Sequence, residues 1–192
     1  NAEALQKAYL EAVARCLAFQ FGDALLENDK VFYMSCEETN LTGEELLAVW
    51  AAVESDYPMF YWLENFANSE FTFDGVCLGV SYHTNSDYFT AEQRDYYNEL
   101  VFDGIDSILS EVQNFTTDFQ TIRYLYDTII AGTDYAYDEN NEPSDELKAH
   151  SILGYFEGRN VVCEGYAKTL QILFNALGIE NCYVTGFAGE DH

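Results

Sequence analysis

The chain is poor in basic residues and in proline. Only 8 of its 192 residues are Lys or Arg, against 34 Asp or Glu, which gives a formal net charge of −26 at pH 7. This balance argues against a nucleic-acid partner, because affinity for a phosphate backbone depends on Lys and Arg displacing counterions. An anionic membrane surface would repel the chain for the same reason. With 2 Pro and 12 Gly, the sequence also falls outside the collagen-like and proline-rich classes.

The sequence lacks a hydrophobic run near the roughly 20 residues that cross a bilayer, and its five cysteines form no C-x-x-C pair. Neither a zinc ribbon nor a redox-active pair is indicated by this spacing, and we expect no metal and no cofactor. The chain starts at Asn1 rather than Met, as it would if a targeting peptide had been removed. The acidic composition favours an extracellular or cell-surface location, with a cytoplasmic one left open. Oligomeric state is open as well.

Apolar residues are abundant, and their spacing predicts an α+β fold. Hydrophobic residues make up 48% of the chain and aromatic residues 16%, enough for a substantial core. We divide the chain into a mainly helical N-terminal region with a β-hairpin (1–115) and a C-terminal region (116–192). The predicted elements are helices over 2–27, from Thr42 through Val53, from Thr90 to Gln113, from Thr117 to Gly132, over 146–156 and over Cys163–Leu177, and strands over Lys30–Ser35, 70–73, 76–83 and 182–187.

Cys163 carries the clearest chemical signal in the sequence. It follows the apolar Val161 and Val162 and opens a predicted helix, with Gly165 two positions later to permit close approach of the backbone. A thiol at a helix N-terminus faces unpaired backbone N–H groups and the positive end of the helix dipole, and both favour the nucleophilic thiolate. From spacing alone, a small buried hydrophobic side chain remains the alternative for Cys163.

A thiol nucleophile needs a general base, and the chain has three histidines. His192 follows a predicted strand that itself follows the Cys163 helix, and an antiparallel return of that strand would bring the imidazole back beside the thiol. His150 and His83 would reach Cys163 only through tertiary packing. A solvated residue at the chain end is the alternative for His192.

Several ordered segments around Cys163 carry a family resemblance. Residues 162–167 read V-C-E-G-Y-A, 177–179 read L-G-I, 184–186 read V-T-G, and 135–138 read Y-A-Y-D. Taken together, these segments resemble the core of bacterial transglutaminase-like proteins, in which the nucleophile opens the central helix within a V-C-x-G-Y-A segment. The resemblance covers about 120–192, and His192 stands where that family has its catalytic His.

The resemblance implies a papain-like core over 116–192, in which the helix that begins at Cys163 packs on an antiparallel sheet. It implies a thiol enzyme that acts on an amide or peptide bond of a protein or peptide substrate, by cross-linking or by hydrolysis, through a Cys163 acyl-enzyme. His192 would shuttle the proton, and the Cys163 N–H would help to bind the oxyanion. The family's Asp follows the His and lies beyond this sequence, so we expect weak or no activity from the chain as it stands.

Other roles stay open at this point. The same fold could act as a non-catalytic module that binds a peptide or a cell-wall component, and the charge of −26 could serve a basic partner. Tyr155 and Tyr166 flank the Cys163 segment and are candidates for lining a substrate pocket, with plain packing as the alternative. The aromatic run at 60–62 is predicted to be buried in the core rather than to form a binding platform.

Overall fold

A computed structural model describes residues 1–64 and 67–186 of the chain. Helices and a sheet are both present, so the predicted α+β class is confirmed. Contacts within the chain group it into an N-terminal unit, Asn1–Glu99, and a C-terminal unit, Leu100–His192. This boundary falls inside a helix, whereas the division drawn from the sequence at 115/116 falls in the loop after that helix.

Helices begin at the capping residues that the sequence predicts. The Thr42 hydroxyl accepts a hydrogen bond from the Glu45 N–H, and the Glu45 carboxylate accepts one from the Thr42 N–H. Thr90 and Gln93 make the same reciprocal pair, and the Thr117 hydroxyl caps the next helix. Each cap satisfies backbone N–H groups that the first helical turn leaves unpaired, which is why a local pattern suffices to predict it.

The N-terminal unit combines helices with a small antiparallel sheet. Its elements are α1 (Ala2–Gln20), β1 (Lys30–Ser35), α2 (Cys36–Thr39), α3 (Gly43–Asp56), β2 (Asn68–Phe71), β3 (Cys77–His83), a 3₁₀ turn (Ser86–Tyr88) and the first part of α4 (Ala91–Ser110). The strand order is β1-β3-β2, and α3 packs on both α1 and β3. The predicted hairpin is confirmed: Gly75, at φ +86°, turns the chain between β2 and β3, where a side chain would be strained.

The aromatic run before β2 lies in the core of this unit, as predicted. Phe60, Tyr61 and Trp62 are all buried. The Tyr61 hydroxyl lies 3.0 Å from the Arg94 carbonyl oxygen and 2.9 Å from the Asn98 side-chain oxygen, so its polar end is satisfied inside the core. These rings contribute to stability as packed core and are not presented to a ligand.

The C-terminal unit is helical in the part that the structure describes. Its elements are the last part of α4, α5 (Asp118–Gly132), a 3₁₀ helix (Leu147–His150), α6 (Ile152–Phe156) and α7 (Cys163–Leu177). The α7 helix packs against α5, α6 and the 3₁₀ helix, and it ends at Gly178 in the left-handed conformation. Both ends of α7 are as predicted. Over the described residues, no helix has the length and apolar character required to span a bilayer.

Two predicted helices differ from the structure, one in its end and the other in its continuity. The first ends at Gln20 rather than at residue 27, because the Gln20 side chain is buried and donates hydrogen bonds to the Met59 carbonyl and to Asn98. The predicted helix over 146–156 is interrupted at Ser151, whose hydroxyl accepts from the Leu153 N–H and caps a new helix, α6. Serine competes well for such cap positions, so it breaks the helical pattern here.

The predicted strand over 182–187 is wrong for the residues that the structure describes, since 181–186 have no regular structure and Phe187 lies outside the described residues. The sheet belongs entirely to the N-terminal unit, while the described part of the C-terminal unit has two isolated bridges, Tyr135 with Val161 and Tyr137 with Pro143.

Candidate active site

Cys163 is the first residue of α7, and its side chain is exposed to solvent. The two residues before it, Val161 and Val162, are buried, so the chain enters the helix from the core and the thiol emerges at the surface. The N-cap position is held by Val162 without a side-chain cap. The first-turn N–H groups of α7 are therefore not screened by a polar cap side chain beside the thiol.

Backbone hydrogen bonds fix the segment that precedes Cys163. The Val161 N–H donates to the Asp134 carbonyl at 3.1 Å, and the Val161 carbonyl accepts from the Ala136 N–H at 3.0 Å. The Val162 N–H donates to the Ala149 carbonyl at 3.0 Å. The segments at 134–136 and at Ala149 thus hold the two residues that precede Cys163. Hydrogen bonds of this kind keep the side chain that follows in one geometry.

Gly165 allows the first turn of α7 to lie directly on the 3₁₀ helix, as the sequence predicted. A Cβ atom at Gly165 would collide with the Ala149 carbonyl oxygen and would lie 2.8 Å from the Val161 Cβ. The Ala149 carbonyl is the group that accepts the Val162 N–H. The first turn of α7, which carries Cys163, can therefore pack this closely only because Gly165 has no side chain.

Tyr135 is the side chain that the structure brings to Cys163. Its ring packs against a buried cluster of Ala136, Ala149 and Val162. Its hydroxyl lies near the Cys163 backbone N–H and the Cys163 thiol. Burial raises the pKa of Tyr135, and the neighbouring thiol raises it further while the N–H opposes the rise. The phenol is consequently neutral at physiological pH, and it lies beside the N–H that was expected to face an oxyanion.

A charged cluster lies beside Cys163 on the same helix turn. The Glu164 carboxylate is 2.8 Å from His150 Nδ1 and 2.7 Å from Lys168 Nζ. His150 Nε2 lies 2.9 Å from the Ser144 carbonyl oxygen, and because that oxygen only accepts, Nε2 is a donor. Glu164 therefore ties the start of α7 to the 3₁₀ helix through an imidazole that donates from both ring nitrogens when charged.

The pKa values of this cluster shift in opposite directions. Hydrogen bonding to Glu164 raises the pKa of His150, against the effect of its partial burial. Burial alone would raise the pKa of Glu164, but the hydrogen bonds and charges of His150 and Lys168 outweigh it and the pKa is lowered. The contacts therefore favour the imidazolium form of His150 and the carboxylate form of Glu164.

This cluster gives a pH-dependent stability that a Glu164→Gln variant would remove. The His150 contribution is complete below its unfolded pKa of about 6.5 and is lost as pH rises through the raised folded pKa. The Glu164 contribution is present above about pH 4.3 and is lost as pH falls through the lowered folded pKa. At any pH between about 4.5 and about 6.5, we expect the free energy of unfolding of the variant to be about 2 kcal/mol lower than that of the wild type. At higher pH we expect the difference to be smaller.

Urea unfolding of the wild type and the Glu164→Gln variant across this pH range checks the expectation, with Glu139→Gln in the exposed loop as the matched control. Glu139→Gln is expected to stay within about 0.5 kcal/mol of the wild type. A Glu164→Gln effect that is equally small, or the same at every pH, would contradict the assignment of the cluster.

The three histidines considered as a base for Cys163 differ in their location. His150 belongs to the Glu164 cluster, so it is engaged as a positioning group. His83 lies in the N-terminal unit, with Nδ1 3.2 Å from an Asp29 carboxylate oxygen and Nε2 3.3 Å from the Asn68 side-chain nitrogen. His192, the predicted base, lies outside the described residues. The role of His192 stays a prediction.

The two tyrosines named for the substrate pocket contact α5 and the residue that follows it. The Tyr166 hydroxyl donates to the Thr133 carbonyl at 2.9 Å. A Cβ at Gly132 would lie 2.7 Å from the Tyr155 hydroxyl, which shows how closely that ring approaches the end of α5. Tyr166 is one turn beyond Cys163 and braces α7, while Tyr155 fills space between α5 and α6. A part in substrate binding stays a prediction for both.

Comparisons with protein-family models, with curated proteins and with solved structures found no match to this chain.

Proposed function

We propose that the chain is a transglutaminase-like thiol enzyme in which Cys163 forms an acyl-enzyme with an amide or peptide carbonyl of a protein or peptide. The observation that carries this proposal is the exposed thiol at the start of α7, mounted on a buried, hydrogen-bonded segment and braced by the Glu164 cluster. A structural cysteine needs neither exposure nor such a mounting, whereas a nucleophile needs both. We place the enzyme outside the cell or on its surface, in keeping with the charge of −26.

The proposed reaction has two steps. The Cys163 thiolate attacks the carbonyl carbon, the resulting oxyanion collapses, and ammonia or an amine leaves with a proton supplied by His192. This leaves an acyl thioester on Cys163, which a primary amine or water then cleaves to regenerate the thiol. The oxyanion would take the Cys163 N–H, and the neutral Tyr135 hydroxyl nearby is suited to act as a second donor.

The test uses a glutamine-containing peptide and a fluorescent primary amine at concentrations near that of the protein, so that even a single turnover is detected. Ammonia released in step with amine incorporation identifies acyl transfer, and new peptide amino termini identify hydrolysis. Either product, accompanied by a transient acyl mass on the peptide that contains Cys163, supports the proposal. The absence of both products and of the acyl mass overturns it.

A non-catalytic module that binds a peptide or a cell-wall component is the second candidate. It is favoured by the aromatic pair that Tyr135 forms with the exposed Tyr137, at a ring separation of 5.0 Å. Aromatic rings of this kind bind ligands without chemistry. Binding of the same peptide by calorimetry, unchanged in a Cys163→Ala variant and without product, would identify this role.

A further inference from the structure

The N-terminal unit contains two cysteine thiols in contact. Cys36 Sγ and Cys77 Sγ are 3.9 Å apart, although 41 positions separate them in sequence. Cys36 follows the last residue of β1, and Cys77 is the first residue of β3. Because β1 and β3 are paired neighbours in the sheet, with Ser35 opposite Gly79, the two thiols lie at the same end of the strand pair.

The space around Cys77 is shaped by a glycine on the facing helix. Gly43 is the first residue of α3, and a Cβ there would lie 2.5 Å from Cys77 Sγ. A larger residue at this position would push the Cys77 thiol away. Cys36 and Cys77 are both half-buried, so a small oxidant can reach them while the surrounding structure holds them together.

We propose that Cys36 and Cys77 form a disulfide under oxidising conditions. This bond would cross-link α2 and the end of β1 to the start of β3. The sulfur atoms must approach by about 2 Å to reach bonding distance, a movement on the scale of side-chain rotation. The remaining cysteines are placed differently: Cys16 is buried inside α1, and Cys163 and Cys182 are exposed in the C-terminal unit.

The oxidant is a small-molecule disulfide such as oxidised glutathione. One protein thiolate attacks a glutathione sulfur, which releases one glutathione thiolate and leaves a mixed disulfide. The second protein thiolate then attacks the protein sulfur of that mixed disulfide, which forms the Cys36–Cys77 bond and releases the second glutathione. Two protein thiols are oxidised and one glutathione disulfide is reduced to two thiols, so electrons and protons balance. Burial and the Cys77 neighbour raise the pKa of Cys36, so we expect the first attack to accelerate as pH rises.

The test equilibrates the native protein with reduced and oxidised glutathione, quenches with N-ethylmaleimide and digests with a glutamyl endopeptidase. Cleavage after Glu places the cysteines in five separate peptides, 12–27, 28–37, 71–92, 158–164 and 181–190. We expect a linked 28–37/71–92 pair that disappears on reduction. We also expect the oxidised protein to unfold about 10 °C higher than the reduced protein, because the cross-link restricts the unfolded chain.

A Cys36→Ser/Cys77→Ser double variant should lose the redox dependence of the melting temperature, and a Cys163→Ser/Cys182→Ser double variant should keep it. Should the first variant fail to fold, the mapping on the wild type still decides. Both thiols remaining alkylated by N-ethylmaleimide under oxidising conditions, separate glutathione adducts on each, or linkage of either to another cysteine would overturn the proposal. None of these results depends on whether Cys163 is catalytic.

Discussion

Replacement of Cys163 by alanine is expected to abolish the catalysed acyl transfer, leaving the background of the uncatalysed reaction. The methyl group of alanine cannot form a thioester, so the two-step route is lost rather than slowed. The substitution is made at an exposed helix position, where alanine is the best helix former, and the fold should be unaffected. Initial rates with the glutamine peptide and the fluorescent amine measure the effect.

Cys182→Ala is the matched control, since Cys182 is the other exposed cysteine of the C-terminal unit. We expect it to keep the wild-type rate. Equal losses in the two variants, or full activity in Cys163→Ala, would show that the chemistry does not pass through Cys163.

Gly165→Ala is expected to destabilise the C-terminal unit by about 1–3 kcal/mol. The added Cβ would collide with the Ala149 carbonyl oxygen, and this backbone group cannot rotate away as a flexible side chain would. Alanine would otherwise favour a helix by up to about 1 kcal/mol over glycine, so a net loss of stability isolates the steric effect. The same displacement moves the first turn of α7. We therefore expect a smaller difference between the alkylation rates of Cys163 and Cys182.

The midpoint of urea unfolding measures this effect, and Gly186→Ala provides the control. Gly186 is exposed, and among the described residues a Cβ there would meet nothing within 4 Å, so we expect a change of less than about 0.5 kcal/mol. A Gly165→Ala variant as stable as the wild type would mean that α7 does not lie as closely on the 3₁₀ helix as described.

The parts of the fold that the sequence predicts are those that depend on local signals. The caps at Thr42, Thr90 and Thr117 and the left-handed glycine after α7 each act within a few residues, and all are confirmed. The errors have two sources: the break at Ser151 is a local cap that the apolar spacing did not reveal, whereas the early end of the first helix depends on tertiary contacts. The first helix ends early because the Gln20 side chain bonds to groups far along the chain, and no local pattern contains that information.

In the candidate site, too, some features follow from local sequence and others depend on tertiary contacts. The start of α7 at Cys163 and the close approach at Gly165 follow from local sequence, and both are confirmed. The spacing of Glu164 and Lys168, four positions apart, could have indicated an ion pair on one helix face. The contacts of Tyr135 with Cys163 and of His150 with Glu164 join segments 28 and 14 positions apart, and only the folded chain brings them together.

The measurement that tests the central claim most directly is alkylation of the native protein by iodoacetamide from about pH 5 to about pH 9, with each cysteine mapped separately. We expect Cys163 to react selectively below about pH 7, ahead of the exposed Cys182. Cys16 should stay unreacted, because burial raises its pKa to about 12. If Cys163 reacts no faster than Cys182, or only above about pH 8, the thiol is not activated and the enzyme proposal is contradicted.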